Sequence, residues 1–323
     1  MILKKLKIPY HVLQLESVVP RLRHGPTHEK LSEKLRRYQS GFNGEKSVCY
    51  PLSFLPQDDY HLIHDLRLCD GTHHFQMDWL IIHTNFITLL EIKNLAGMIT
   101  LDTRLNQMKR ELNGKTELFN DPLVQAENLK DLLNIWIRQH NLCSIPIYEF
   151  VVFSSPHAYV QTTSHDDPAL RKIVKPANLK RTITALPQVD SRHSLTKEKL
   201  LTLGHDMVSS HQTRKPNLFQ SENLSVDDIM PGVRCPNCGR LQMKKVEASW
   251  FCSSCKTLSK HAGITALRDY YLINGPKITN QQCRNFLLMD SASSAKHLLQ
   301  SLNLKYKGDN RGRVYFLSFT DLD

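Results

Sequence analysis

The sequence predicts an α/β core followed by two small modules, and three observations carry that prediction. Residues 60–153 hold short Leu- and Ile-rich runs, a helical stretch and a strongly apolar run; two Cys-x-x-Cys pairs follow at 235–255; two capped helical stretches and a basic hairpin come after them. At 323 residues, 41% of them hydrophobic, the chain has room for two or three folded domains. The expected organisation is a basic helical segment at 1–39, the core at 40–160, a helical extension and linker at 161–230, the cysteine module at 231–260 and a final module at 261–323.

Each element has a local reason. LSEKLRRYQSGFNGEK reads as a helix with a weak point at Gly41 and Gly44. YHLIHDLRL, QMDWLII and FITLLEIK are separated by DGTHH and HTN, as in a meander of three strands. DPLVQAENLKDLLNIWIRQ opens with an acidic cap and a proline in its first turn, which predicts a helix over about 122–140. IPIYEFVVFSS, rich in β-branched and aromatic residues, is the best buried strand of the chain. Residues 161–230 are polar apart from a helical stretch near 195–212.

The chemistry of the core follows from arithmetic on a hairpin. If QMDWLII and FITLLEIK pair antiparallel with Thr84 and Asn85 at the tip, paired positions sum to 169 and Asp78 stands opposite Glu91. Alternation then puts Lys93 on the same face, with Ile92 on the other. Two adjacent buried carboxylates repel each other and lose hydration unless a cation compensates, and hard oxygen ligands suit Mg²⁺ or Mn²⁺. Such a metal polarises a phosphate, while the lysine orients water and stabilises developing charge, which is the chemistry of phosphodiester hydrolysis. A bare Glu-x-Lys on an exposed strand pair is the competing reading.

The surrounding residues favour the first. Asp-Trp-Leu-Ile-Ile, then Leu-Leu-Glu-Ile-Lys-Asn-Leu-Ala-Gly-Met-Ile, with Gly-Glu upstream and Pro-Leu-Val-Gln downstream, resemble the nuclease-related domain (NERD) family of the PD-(D/E)XK superfamily over roughly Ser40 to Val160. The resemblance implies a restriction-endonuclease-like α/β core and a metal-dependent nuclease, a hydrolase. It sets the metal-binding aspartate on Asp78, the Glu-x-Lys on Glu91 and Lys93, the first-helix glutamate on Glu45 and the helix glutamine on Gln125. Asn94 and Gly97 follow the pattern. The family's aromatic residue in the next loop is missing here, where the chain reads TRLNQMKRELNGKTEL.

Cys235, Cys238, Cys252 and Cys255 form two tight knuckles able to present four thiolates to one structural Zn²⁺, as in a zinc ribbon. A thioredoxin-like redox site needs a single such pair at a helix start, so two matched pairs favour metal. Arg234, Arg240, Lys244 and Lys245 surround the module, and Trp250-Phe251 suits either its small core or a contact surface. Cys49, Cys69, Cys143 and Cys283 are expected as packing residues.

Beyond Thr279, NQQCRNFLLM and SAKHLLQSLNL read as helices sharing Phe286, Leu287, Leu298, Leu299 and Leu302, and KYKGDNRGRVYFL as a hairpin. The combination resembles a small winged-helix-like domain. Ser291, Ser293, Ser294, Lys296 and His297 would then face a groove, and Lys305, Lys307, Arg311 and Arg313 would contact phosphates.

A net charge of +11 favours a polyanionic partner. DNA is expected; counterion release works on either polymer, which leaves RNA open. No apolar run reaches membrane-spanning length, the basic start has no signal-peptide pattern, and paired metal-type cysteines point to a reducing cytoplasm. The alternative to a nuclease is a non-catalytic DNA-binding or adaptor protein with a degenerate core.

Overall fold

The computed structural model describes residues 1–140, 142, 145–163, 167–187 and 194–318, apart from the Arg311 side chain. In chain order it contains β1 (Ile2–Lys4), α1 (Tyr10–Val18), α2 (Pro26–Ser47), α3 (Cys49–Leu52), β2 (His61–Cys69), β3 (His74–Ile82), β4 (Ile87–Lys93), β5 (Gly97–Asp102), β6 (Gln107–Leu112) and β7 (Lys115–Asn120). There follow α4 (Pro122–Gln139), β8 (Ile147–Phe153), β9 (Ala158–Thr162), β10 (Ile173–Val174), α5 (Leu179–Thr184), α6 (Lys197–Ser209) and α7 (Leu218–Ser221). The remainder is β11 (Met243–Val246), β12 (Ser249–Cys252), β13 (Leu258–Ser259), α8 (Ala262–Asn274), β14 (Lys277–Thr279), α9 (Asn280–Leu287), α10 (Ala292–Ser301), β15 (Lys305–Lys307) and β16 (Val314–Phe316). The chain is therefore mixed α/β. It divides into two units, residues 1–8 with 38–214 and residues 9–37 with 215–323, so α2 contributes to both.

The first unit is built on a mixed sheet ordered β1-β2-β3-β4-β8-β10. β2, β3 and β4 form the antiparallel meander, and β8 then pairs parallel to β4 through the α4 crossover. Asp121 caps α4 by accepting the Leu123 N–H at 2.8 Å, with Pro122 in the first turn where its missing donor costs nothing. Leu123, Ala126, Leu129, Leu133, Trp136 and Ile137 recur at helical spacing and join one apolar cluster against the sheet. A second cluster, including Val48, Leu90, Ile92, Val152 and Ile183, lies apart from it. β4 and β8 are buried almost throughout, so each reads as a continuous apolar run rather than an alternating one.

Three expectations change in this unit. Residues 2–4 are a strand parallel to β2 rather than part of a basic helix. Gly41 and Gly44 do not weaken the first helix, because α2 continues through both to Ser47. A Cβ on Gly44 would fall 2.6 Å from Asn94 Cβ and 2.9 Å from Ser154 Oγ, so this glycine lets α2 approach the ends of β4 and β8. The polar run TRLNQMKRELNGKTEL is a turn and two strands of a second sheet, β7-β6-β5-β9. The helical stretch near 195–212 is α6, whose Leu200, Leu203 and Met207 belong to the first apolar cluster.

The second unit joins the cysteine module, the C-terminal elements and the α1 region in one body. Val233, Cys235, Met243, Trp250 and Cys252 share one apolar cluster with Leu267, Tyr270, Ile278, Cys283, Leu287, Leu299 and Tyr315. The run α8-β14-α9-α10-β15-β16 includes a three-stranded sheet ordered β14-β16-β15. Thr279 and Gln282 form a capping box on α9, and Ser291 caps α10 by accepting the Ser294 N–H.

Arg21 anchors the N-terminal segment. Fully buried, it donates to Asp269 Oδ2 at 2.8 Å and to the Gly232 carbonyl at 2.9 Å, and lies 4.5 Å from the Phe286 ring centroid. Arg21→Ala leaves Asp269 buried without its cation, at a cost of roughly 3–5 kcal/mol. Hydrogen exchange should show lost protection across 262–304; unchanged protection there would contradict the anchoring role.

Candidate active site and metal centre

The hairpin between β3 and β4 pairs Trp79 with Leu90, Leu80 with Leu89, Ile81 with Thr88 and Ile82 with Ile87. The His83 N–H donates to the Phe86 carbonyl at 2.9 Å across the turn. One further step in that register sets Asp78 against Glu91. The paired ladder itself ends one step earlier, at Trp79 and Leu90, and the Ile92 N–H donates to Asp78 Oδ2 at 2.8 Å. The carboxylate thus takes the place of a backbone acceptor.

Glu91 Oε1 accepts from Lys93 Nζ at 2.7 Å, and the same ammonium donates to Gln125 Oε1 at 2.9 Å. Lys93 lies two residues beyond Glu91 on β4 and shares its face, while Gln125 lies in the first turns of α4, so the crossover helix brings the glutamine to the strand pair. The Asp78 carboxyl is pushed well above the usual range by burial, and further by Glu91 and Glu45. Burial also raises Glu91, against the opposing pull of Lys93. Two adjacent carboxylates whose charged forms are disfavoured by burial are a donor set that an oxygen-seeking divalent cation would stabilise.

Glu45, on the last turns of α2, faces a residue that sequence reasoning missed. His64 on β2 is buried, and its Nε2 lies 2.7 Å from Glu45 Oε2. Among the described residues the buried His64 Nδ1 has no hydrogen-bond partner. Trp79 Nε1 donates to the Glu45 carbonyl at 3.0 Å and so fixes the same turn. Next to His64, Asp65 has a φ of 52°, a conformation that L-residues seldom adopt within a strand. Lys4 Nζ steadies it by donating to the His64 and Asp65 carbonyls at 2.8 and 2.7 Å, and Gln76 Nε2 by donating to Asp65 Oδ1. A histidine in a Leu- and Ile-rich strand was the sequence signal available.

In the second unit the Sγ atoms of Cys235, Cys238, Cys252 and Cys255 lie within 4.8 Å of one another. Cys235 is 3.5 Å from Cys255, and Cys238 is 3.6 Å from Cys252. Four sulfurs about 2.3 Å from one tetrahedral Zn²⁺ sit about 3.8 Å apart, so the set fits that ion. Gly239, at φ 73°, turns the first knuckle so that the Arg240 amide reaches Cys238, and the Ser254 and Cys255 amides reach Cys252. Trp250 is buried as core and touches α8 at Gly263. Among the described residues no cysteine forms a disulfide; Cys143 lies outside them.

Near the C-terminus a groove of about 770 Å³ runs between α9, α10 and β16, lined by Asn280, Arg284, Ser293, Lys296, Arg313 and Tyr315. Lys305 and Lys307 are exposed on β15, and Arg313 stacks 4.2 Å from the exposed Tyr306 ring. The groove brings Lys296 and Arg313 together and adds Arg284, which sequence reasoning missed. His297 is exposed, Ser294 is half-buried and Ser291 serves as the α10 cap. The Arg311 side chain lies outside the described residues.

Among the described residues no helix is long and apolar enough to cross a membrane. Residues 40–154, about a third of the chain, match the family model of the nuclease-related domain (NERD). No curated protein and no solved structure matches the chain.

Proposed function

We propose, from the premise of a nuclease-related domain at residues 40–154, that the chain hydrolyses phosphodiester bonds in DNA at the site formed by Asp78, Glu91 and Lys93. The convergence of the buried Glu91 and the half-buried Asp78 with a lysine that both Glu91 and Gln125 hold in place carries this reading. Asp78 and Glu91 would hold Mg²⁺ or Mn²⁺, which supplies Lewis-acid polarisation of the scissile phosphate. Lys93 stands where it orients the attacking water and stabilises charge on the phosphate. Gln125 keeps the ammonium aimed, and Glu45, set by His64 and the Trp79 indole, adds negative potential at the edge of the site.

The second unit serves substrate binding in this reading. Its four cysteines hold a structural Zn²⁺, and its C-terminal elements act as a winged helix in which Lys296, Lys305, Lys307, Arg311 and Arg313 meet phosphates. The α8-β14-α9-α10-β15-β16 order and the cationic groove support it. Replacing Lys305, Lys307, Arg311 and Arg313 by Ala should weaken binding about equally across sequences and flatten its salt dependence. An unchanged salt slope counts against the hairpin as a phosphate contact.

The test of activity is purified protein with plasmid and linear DNA in Mg²⁺ or Mn²⁺, beside Asp78→Ala and Lys93→Ala. Cleavage by wild type alone supports the reading; equal cleavage by all three overturns the site. Binding without cleavage in every metal favours the adaptor alternative.

A further inference from the structure

Next to the carboxylate–lysine site, the first unit has an open cavity of about 440 Å³. Its size falls within the range of small-ligand sites, about 300–1,000 Å³. Asn106, Asn120, Gln125 and Asn128 provide its amide lining, and Val124 and Leu129 its apolar surface. Asp121 also lines it, but that carboxylate is occupied in capping α4. No lysine or arginine is among the lining residues.

Gln125 belongs to both places, since its Oε1 accepts from Lys93 and its side chain also bonds Glu91. Asn106, Asn120 and Asn128 are exposed, and among the described residues nothing hydrogen-bonds their side chains, so a ligand has only water to displace from these three amides. The wall is set beforehand. Asn106 has a φ of 53°, which asparagine tolerates well, and its carbonyl accepts the Asp121 N–H at 3.3 Å, tying the β5–β6 turn to the start of α4.

The chemistry of this lining selects its ligand. Phosphate recognition draws on cations, and this cavity has none. An amide offers both donors and an acceptor in one plane, matching the edge of a nucleobase, and Val124 and Leu129 offer its ring an apolar surface. We propose that this cavity is a base-reading subsite, taking one unstacked nucleobase of the strand whose phosphate lies at Lys93. The proposal rests on the nuclease reading of the adjoining site. A paired base has its Watson–Crick edge engaged, so a subsite that reads that edge favours single-stranded, frayed or flipped nucleotides.

The test is titration of the ¹⁵N-labelled full chain with dAMP, dGMP, dCMP, TMP and, as the base-free control, deoxyribose 5-phosphate. Side-chain amide resonances are assigned through Asn106→Ala, Asn120→Ala and Asn128→Ala. These resonances should shift with at least one nucleotide and not with the sugar phosphate, with about tenfold between the best and the worst base. Absence of any shift at millimolar ligand, or equal shifts with the sugar phosphate, overturns the subsite. The two readings separate cleanly. DNA cleavage with silent amides sinks the subsite alone, whereas base-dependent shifts in a chain that cleaves no DNA uphold the subsite and sink the nuclease.

Discussion

Asp78→Asn should lower DNA cleavage by on the order of 10³-fold while raising the stability of the Mg²⁺-free protein by about 1–2 kcal/mol. The asparagine oxygen can still accept the Ile92 N–H, so the β3–β4 geometry is kept and only the charge is lost. That charge is what a divalent cation needs, and it is also what the metal-free fold least tolerates, because the half-buried Asp78 carboxyl stands beside the buried Glu91 with Glu45 nearby. The pH dependence has a definite sign. A carboxyl whose folded value lies above its unfolded value contributes stability that is fully present below the unfolded value, about 3.9, and is lost as pH rises through the raised folded one. The variant's advantage should therefore be largest near pH 8 and shrink as the solution is acidified. Melting curves in Mg²⁺-free buffer without chelator leave the cysteine site undisturbed. Equal melting temperatures at every pH would remove the argument from buried repulsion, and unimpaired cleavage would remove Asp78 from the site.

The second large effect is expected at the four cysteines. Zinc bound to such a set contributes folding free energy outright, about 10–16 kcal/mol in small zinc-finger peptides. Here Cys235 and Cys252 lie in the same apolar cluster as Leu267, Cys283, Leu287 and Leu299, so metal loss should extend past the ribbon into α8, α9 and α10. We expect one zinc per chain by elemental analysis and its loss in Cys252→Ser. Hydrogen exchange should then show falling protection across both 233–259 and 262–301. A purified chain without zinc that keeps full protection would exclude a structural metal. Loss confined to 233–259 would show that the shared core holds without it.

Much of the candidate site was legible because it is local. A two-residue turn tip sets the β3–β4 register, and strand alternation does the rest; no distant contact is needed to bring Asp78, Glu91 and Lys93 to one place. The caps of α4, α9 and α10 and the two cysteine knuckles are likewise decided within a few residues. Glu45 and Gln125 were reached by family likeness, since nothing in periodicity links them to β4. His64 was missed because a histidine in an apolar strand announces no partner until α2 folds against it. Gly44 was misread for a related reason: its missing side chain suits a contact with Asn94 and Ser154, fifty and more residues away.

By itself, then, the sequence determined the meander, the crossover helix, the charged triad and the thiolate set, all of which follow from short-range stereochemistry. The tertiary structure decided what depends on distant segments meeting. It placed α6 in the core of the first unit and Arg21 against Asp269 in the second. It paired Glu45 with His64 and gathered Asn106, Asn120 and Asn128 around one cavity. Burial decides those contacts, and burial belongs to the packed chain rather than to any single stretch of it.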